Sequence, residues 1–162
     1  MRFEITQEYV SDSDSVEQAY AGEDLYPTLV GLPKLGGIQV LERVESGATV
    51  NLRIRFRFTG HLAGAVTAVV DPDKLTWVQE TRHEIGSGHA SFVLRPDHYP
   101  DRLRASGSFQ IEANSHGCRR VVAGEIKVRA PLFAGRVEEA IVSGLREYLE
   151  AEAPAVDAWL ID

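Results

Sequence analysis

The chain changes period along its length. Val50, Leu52, Ile54, Phe56 and Phe58 alternate with Asn51, Arg53, Arg55, Arg57 and Thr59, the signature of a strand with one face buried. Ile38, Val40 and Val44 carry the same period into it across the turn Glu45-Ser46-Gly47. Further on, Leu75, Trp77, Gln79, Thr81, His83 and Ile85 share a strand face, and Gly86-Ser87-Gly88 turns the chain back through Ala90, Phe92 and Leu94. Leu103, Ala105, Gly107, Phe109, Ile111 and Ala113 form another inward face. After the turn Asn114-Ser115-His116-Gly117, Val122, Gly124, Ile126 and Val128 form the last. Short turns between consecutive strands predict an antiparallel meander, since parallel neighbours need long crossovers.

Residues 2–10 read as a first strand. Asp14 and Glu17 have the spacing of a capping box, predicting a short helix through Tyr20 that ends near Gly22. Leu25, Tyr26, Leu29, Val30 and Leu32 suit a second short helix before Pro33. Residues 60–70 fit either a strand extension or a loop, and Asp71-Pro72-Asp73 is a turn signal. From Pro131 to Asp162 the period becomes helical. Pro131 is placed in the first turn, and Val137, Ile141, Leu145 and Tyr148 make the apolar stripe. Pro154 is expected to kink or break this helix before a last apolar turn at Val156, Trp159 and Leu160. One long amphipathic helix after so much strand sequence must cover a sheet, because nothing else helical is long enough to bury its stripe.

Composition narrows the class. A chain of 162 residues fits one domain, residues 1–162, and can bury roughly 70% of its unfolded surface without a metal or disulfide. Cys118 is the single cysteine. No apolar run opens the chain, so no signal peptide is expected, and no stretch approaches the ~20 apolar residues of a membrane span. These features predict a cytoplasmic protein with no integral membrane association. The net charge of −7 opposes non-specific nucleic-acid binding. On an acidic protein, Arg53, Arg55 and Arg57 are expected to form a solvated or ion-paired face.

The order of strand, two short helices, about six antiparallel strands and a long C-terminal helix resembles the helix-grip superfamily. That superfamily includes the steroidogenic-acute-regulatory-related lipid-transfer domains, the birch-pollen allergens and the polyketide cyclases. Asp71-Pro72-Asp73-Lys74-Leu75-Thr76-Trp77, Gly124-Glu125-Ile126-Lys127-Val128 and Pro131-Leu132-Phe133-Ala134-Gly135-Arg136-Val137-Glu138 are similar to a bacterial branch of unknown function. The resemblance implies an α+β fold in which a curved antiparallel sheet of about six to seven strands wraps one long C-terminal helix. It also implies a cavity for a lipid, sterol, polyketide-like or other small apolar molecule, held in a carrier or sensor role.

Two features of the residues bear on such a cavity. Gly107, Ala105, Ala113 and Gly124 are small on inward faces, and Gly144 interrupts the helix stripe at a cost of about 1 kcal/mol relative to alanine. They either leave room for a ligand or let the backbones pack closely. Gln79, Thr81 and His83 place polar groups on an inward face, where a partly apolar pocket or the rim of the sheet would accommodate them. The candidate ligand-binding residues on the sheet are Leu52, Ile54, Phe56, Phe58, Trp77, Gln79, Thr81, His83, Phe92, Phe109 and Ile111. Those on the helix are Val137, Ile141, Gly144 and Tyr148.

Other chemistry finds little support. The five histidines (His61, His83, His89, His98 and His116) form no ligand pair; His83 and His89 flank one hairpin without a third ligand. No metal and no cofactor is expected. Cys118 has no orienting partner, Gly86-Ser87-Gly88 lacks the rest of a dinucleotide motif, and Glu138-Glu139 suits the positive end of a helix. Binding of a small apolar ligand therefore stands first. A cyclase- or hydrolase-like enzyme stands second, with His83 as its best candidate acid or base and Tyr99 or Tyr148 assisting. A ligand-free protein-interaction module stands third.

Overall fold

A computed structural model describes the chain from Met1 to Asp162 apart from positions 63 and 69 and the side chain at position 65. Strand β1 (Arg2–Tyr9) is followed by helix α1 (Ser13–Ala21) and a 3-10 turn at Tyr26–Leu29. Strands β2 (Leu35–Ser46) and β3 (Thr49–Phe58) come next. A short helix α2 (Gly64–Thr67) and a 3-10 turn at Pro72–Lys74 lead into β4 (Thr76–Glu84) and β5 (His89–Pro96). Strands β6 (Leu103–Asn114) and β7 (Gly117–Val128) precede helix α3 (Ala134–Ile161). The stretch 60–70 thus contains a helical turn, which its pattern did not announce; positions 63 and 69 lie outside the described residues.

The seven strands form one antiparallel sheet in the order β1-β7-β6-β5-β4-β3-β2. From β2 to β7 it is the expected meander, and β1 adds to the far edge by pairing with β7, Ile5 opposite Val122. Alternation decides what each strand buries. Val50, Leu52, Ile54, Phe56 and Phe58 all point into the core, and so do Phe3, Ile5 and Tyr9 on β1. Helix α3 lies across this inner face against β1 and β7 and reaches β2. Burying each of its apolar side chains contributes roughly 1.5–3 kcal/mol.

The structure corrects four local expectations. The N-cap of α1 is Asp12, whose carboxylate accepts the Ser15 N–H at 2.9 Å, so the helix begins before Asp14. Glu17 is buried instead, and accepts the N–H groups of Gly86 (2.9 Å) and Gly88 (2.8 Å) in the β4–β5 turn. Both glycines have positive φ there, and the carboxylate satisfies donors that the tight turn leaves unpaired. Pro131 precedes α3 rather than opening it, because Leu132 at φ +71 leaves helical geometry. Of the kink or break expected at Pro154, the break does not occur: Pro154 and Glu150, whose carbonyl loses its N–H partner, are both exposed, so water can replace the missing bond.

Strand β2 departs from its pattern too. Two register shifts, between Gly36 and Gln39 and between Val40 and Glu42, break its alternation at the sheet edge. Ile38 and Val40 are consequently only half-buried and Val44 is exposed. No helix among the described residues is long and apolar enough to cross a membrane.

Candidate functional site

The inner face of the sheet and helix α3 do not close completely. Between them lies a cavity of about 80 Å³. Its apolar walls include Phe56, Trp77, Phe92 and Phe109 from the sheet and Ile141 and Leu145 from the helix. The rings are paired: Phe56 stacks on Trp77 at 6.2 Å and Phe92 on Phe109 at 4.8 Å between centroids. Two smaller voids adjoin along the helix. One of about 20 Å³ shares Trp77, Ala105 and Ile141 with the main cavity. The other, of about 50 Å³, shares Leu75, Leu103 and Ile141 with the 20 Å³ void.

One end of the main cavity is polar. Arg120 on β7 and Glu152 on α3 are both buried, 4% exposed, and form an ion pair at 3.4 Å. Among the described residues they are the only ionised side chains on the wall. The guanidinium is held between two rings, 3.8 Å from the centroid of Tyr20 and 4.1 Å from that of Phe109. Its Nη1 also donates to Gln7 Oε1 at 2.8 Å. Gln7 in turn donates to the Leu149 carbonyl at 2.8 Å and to Glu152 Oε1 at 3.2 Å. The Tyr20 hydroxyl donates to the same Glu152 oxygen at 2.6 Å, which leaves the Tyr9 hydroxyl to donate to Tyr20 at 2.7 Å. Burial, reinforced by Glu152, pushes the Tyr20 hydroxyl well above its ordinary pKa, so it stays a proton donor. A buried pair needs such further bonds to offset its desolvation.

Two polar groups on the same wall lack this provision. His83 Nε2 and the Tyr148 hydroxyl are buried and have no hydrogen-bond partner among the described residues. Glu152 lies one helical turn beyond Tyr148, close enough to act on its hydroxyl, but the bonds it accepts, from Tyr20, Gln7 and Arg120, all go to Oε1 and, among the described residues, the Tyr148 hydroxyl meets no partner in bonding geometry. Burial pushes the His83 pKa down to about 4, with Arg120 and Arg43 adding repulsion, so the ring is neutral at pH 7. Burial and the nearby Glu152 raise that of Tyr148, which keeps its proton. Each group would ordinarily cost roughly 1–3 kcal/mol left unpaired.

The sequence candidates divide by place. On the cavity wall are Phe56, Trp77, Gln79, Thr81, His83, Phe92, Phe109, Ile141 and Tyr148. Leu52, Ile54 and Ile111 are buried in the core away from it. Phe58 lines the 20 Å³ void and Val137 the 50 Å³ one. Gly144 makes no room for a ligand, since a Cβ there would stand 2.7 Å from the Phe58 ring. Gly107 and Gly124 face each other across β6 and β7, and a ring lies against each, Phe92 on the first and Phe3 on the second. These glycines serve close packing. Ala105 does border the cavity, whereas Ala113 is exposed near the end of β6.

Arg120, Glu152, Gln7 and Tyr20 escaped the pattern reading as site residues. Their positions were available in the register. Arg120 continues Val122, Gly124 and Ile126 backwards by two, Gln7 lies between Ile5 and Tyr9, and Glu152 follows Tyr148 by four. A charged residue on an inward face is easily passed over because its partner lies far away in sequence.

The remaining candidates are structural. Cys118 is fully buried, and burial, with Asp157 next, pushes its thiol up to about 11, the opposite of an activated nucleophile. Arg53, Arg55 and Arg57 pair with Glu42, Asp97 and Asp73. Glu138 accepts the Val128 N–H at 2.9 Å, tying the start of α3 to β7. Among the described residues, no group of three or more histidines, cysteines or carboxylates is placed to hold a metal ion.

No curated protein sequence matches the chain. Several solved structures share its fold. The protein TTHA0849 from Thermus thermophilus superposes with a TM-score of 0.66 at 16% identity, over 99% of this chain and 96% of that one. The Zhui aromatase/cyclase from Streptomyces sp. R1128 gives 0.63 at 14% identity, over 99% and 92%. A START superfamily protein from Mycobacterium smegmatis gives 0.58 at 14% identity, over 99% and 97%. At such identities the likeness is one of fold, and the fold is the helix grip: a seven-stranded antiparallel sheet around a long C-terminal helix. Residues 4–160 match the family described as Protein of unknown function (DUF2505), and the chain is a member of that family, built on the helix-grip fold.

Proposed function

We propose that the protein binds a small, mainly apolar molecule carrying a polar group, in the cavity between the sheet and α3, as a carrier or sensor. The observation that carries this reading is the unpaired state of His83 Nε2 and the Tyr148 hydroxyl on the wall of an otherwise aromatic cavity. Packed cores satisfy their buried polar groups. A ligand with a complementary polar group would satisfy these two while its apolar part covers the rings.

Size bounds the ligand. A cavity of about 80 Å³ is roughly half the ~150 Å³ cavity that takes up benzene. Rotation of Ile141, which borders all three voids, would enlarge the space towards one aromatic ring. A sterol or a long acyl chain requires α3 to move away from the sheet. The second reading, an enzyme on the same cavity, draws on the Zhui aromatase/cyclase among the neighbours. It is disfavoured by His83: a ring whose pKa lies near 4 is a weak base at pH 7, well below the value that suits general catalysis.

Fluorescence tests the binding reading. In a Trp159→Phe background Trp77 is the only tryptophan, and it lies on the cavity wall. Titration with single-ring aromatic compounds is expected to change its emission saturably. A cavity-filling Ala105→Leu variant is expected to abolish the change. An unchanged response in that variant would place binding elsewhere.

A further inference from the structure

We propose that the polar end of the cavity selects a neutral, hydroxyl-bearing ring, a phenol, and rejects carboxylates of similar size. The proposal rests on the binding reading above and names the class of ligand.

Charge sets the first constraint. Arg120 and Glu152 are the only ionised groups on the wall among the described residues, they lie 3.4 Å apart, and their charges cancel. A carboxylate entering here would lose its hydration and meet Glu152 as well as Arg120. An ammonium group would meet the reverse. Neither finds a net countercharge, and burying an uncompensated ion is prohibitive. A neutral ligand avoids that penalty. The guanidinium is also closed from both sides by Tyr20 and Phe109, so an anion cannot stack on its face.

Hydrogen-bond count sets the second. The Tyr148 hydroxyl keeps its proton and can donate it. The His83 ring is neutral, so one of its two nitrogens is an acceptor. A hydroxyl group both accepts and donates, so it can pair with either residue, whichever His83 nitrogen carries the proton. A ketone or ether accepts only, and a hydrocarbon does neither. Shape sets the third. The stacked pairs Phe92–Phe109 and Phe56–Trp77 line the cavity, and such an aromatic wall favours an aromatic body over an aliphatic one.

Three near-isosteric probes separate these terms by isothermal titration calorimetry at pH 7.5: 4-methylphenol, para-xylene and benzoate. The expected order is 4-methylphenol about tenfold tighter than para-xylene, the worth of roughly one good hydrogen bond, with benzoate undetectable. Tyr148→Phe should weaken 4-methylphenol about tenfold and leave para-xylene within about twofold. The same variant should raise the Tm of the ligand-free protein, since it removes a hydroxyl that has no partner. A merely structural Tyr148 would not combine a higher Tm with a selective loss of the phenol. His83→Leu supplies a second variant, read through the same ratio of phenol to xylene affinity.

The outcomes are distinguishable. If para-xylene or benzoate binds as tightly as 4-methylphenol, the ligand class is overturned while binding in the cavity survives. If Tyr148→Phe lowers Tm and leaves the phenol preference intact, Tyr148 bonds to Glu152 internally and the proposal fails. If none of the three probes binds, the binding reading itself fails and takes this proposal with it.

Discussion

The two halves of α3 lie over the same sheet and are built differently. Over the N-terminal half, Val137, Ile141 and Gly144 face the core, and Gly144 lets the helix approach until the Phe58 ring touches its backbone. Over the C-terminal half, Tyr148, Glu152 and Asp157 bring polar groups to the core. Asp157 accepts the N–H groups of Val10 and Ser11, closing the end of β1, and Glu152 holds Arg120, Gln7 and Tyr20. The first half turns apolar groups to the core, in close contact at Gly144 and bordering the voids at Val137 and Ile141. Among the described residues, the second half is satisfied everywhere except at His83 and Tyr148. That difference argues that the unpaired groups are local to a site and not a sign of a loosely assembled core, because Glu152, Gln7, Tyr20 and Arg120 nearby are each bonded two or three times.

The contrast can be broken most severely at the ion pair. Arg120→Met or Glu152→Leu alone strands a buried charge and is expected to cost about 3–5 kcal/mol in urea unfolding. The double variant Arg120→Met/Glu152→Leu is expected to recover most of that loss. Double and single variants equally unstable would mean that the pair is not a coupled unit.

A smaller effect tests His83. Its pKa near 4 in the folded chain lies below the ordinary histidine value of 6.5, so the unfolded chain takes up its proton first as pH falls. The stability this group contributes is complete above pH 6.5 and is lost on going down to pH 4, by about 3 kcal/mol. His83→Leu should remove that part of the pH dependence of unfolding. An unaltered profile would show that His83 titrates normally and faces water.

The smallest effect sharpens the contact at Gly144. Gly144→Val drives a branched side chain into Phe58 and is expected to destabilise by about 1–3 kcal/mol, with Phe58→Leu in the same chain restoring part of it. A neutral Gly144→Val would mean that the helix stands clear of the sheet at this point.

Much of the fold was legible in the pattern and rather less of the site. Period-two runs such as Val50 to Phe58 place a strand and its buried face from local sequence alone, and the long stripe from Val137 to Tyr148 does the same for the helix. The structure departed where a single local cue competed with another. Asp12 took the N-cap from Asp14, and the edge position of β2 allowed bulges that its alternation did not show. The cavity wall was partly visible, in Trp77, His83, Phe109 and Tyr148. The small residues that suggested space were misleading at Gly107, Gly124 and Gly144, because a glycine beside a large ring marks close approach. The polar end stayed hidden because it is assembled from β1, α1, β7 and α3: Gln7 and Glu152 are 145 residues apart, and no spacing rule joins them.

Entry of a small molecule into this cavity can be followed residue by residue with methyl-resolved NMR. On adding 4-methylphenol, shifts are expected at Ile126, Ile141, Leu145 and Leu149, which line the cavity, and not at the exposed methyls of Leu132 and Ile161. Shifts confined to exposed methyls, or none at all at saturating probe, would contradict the account.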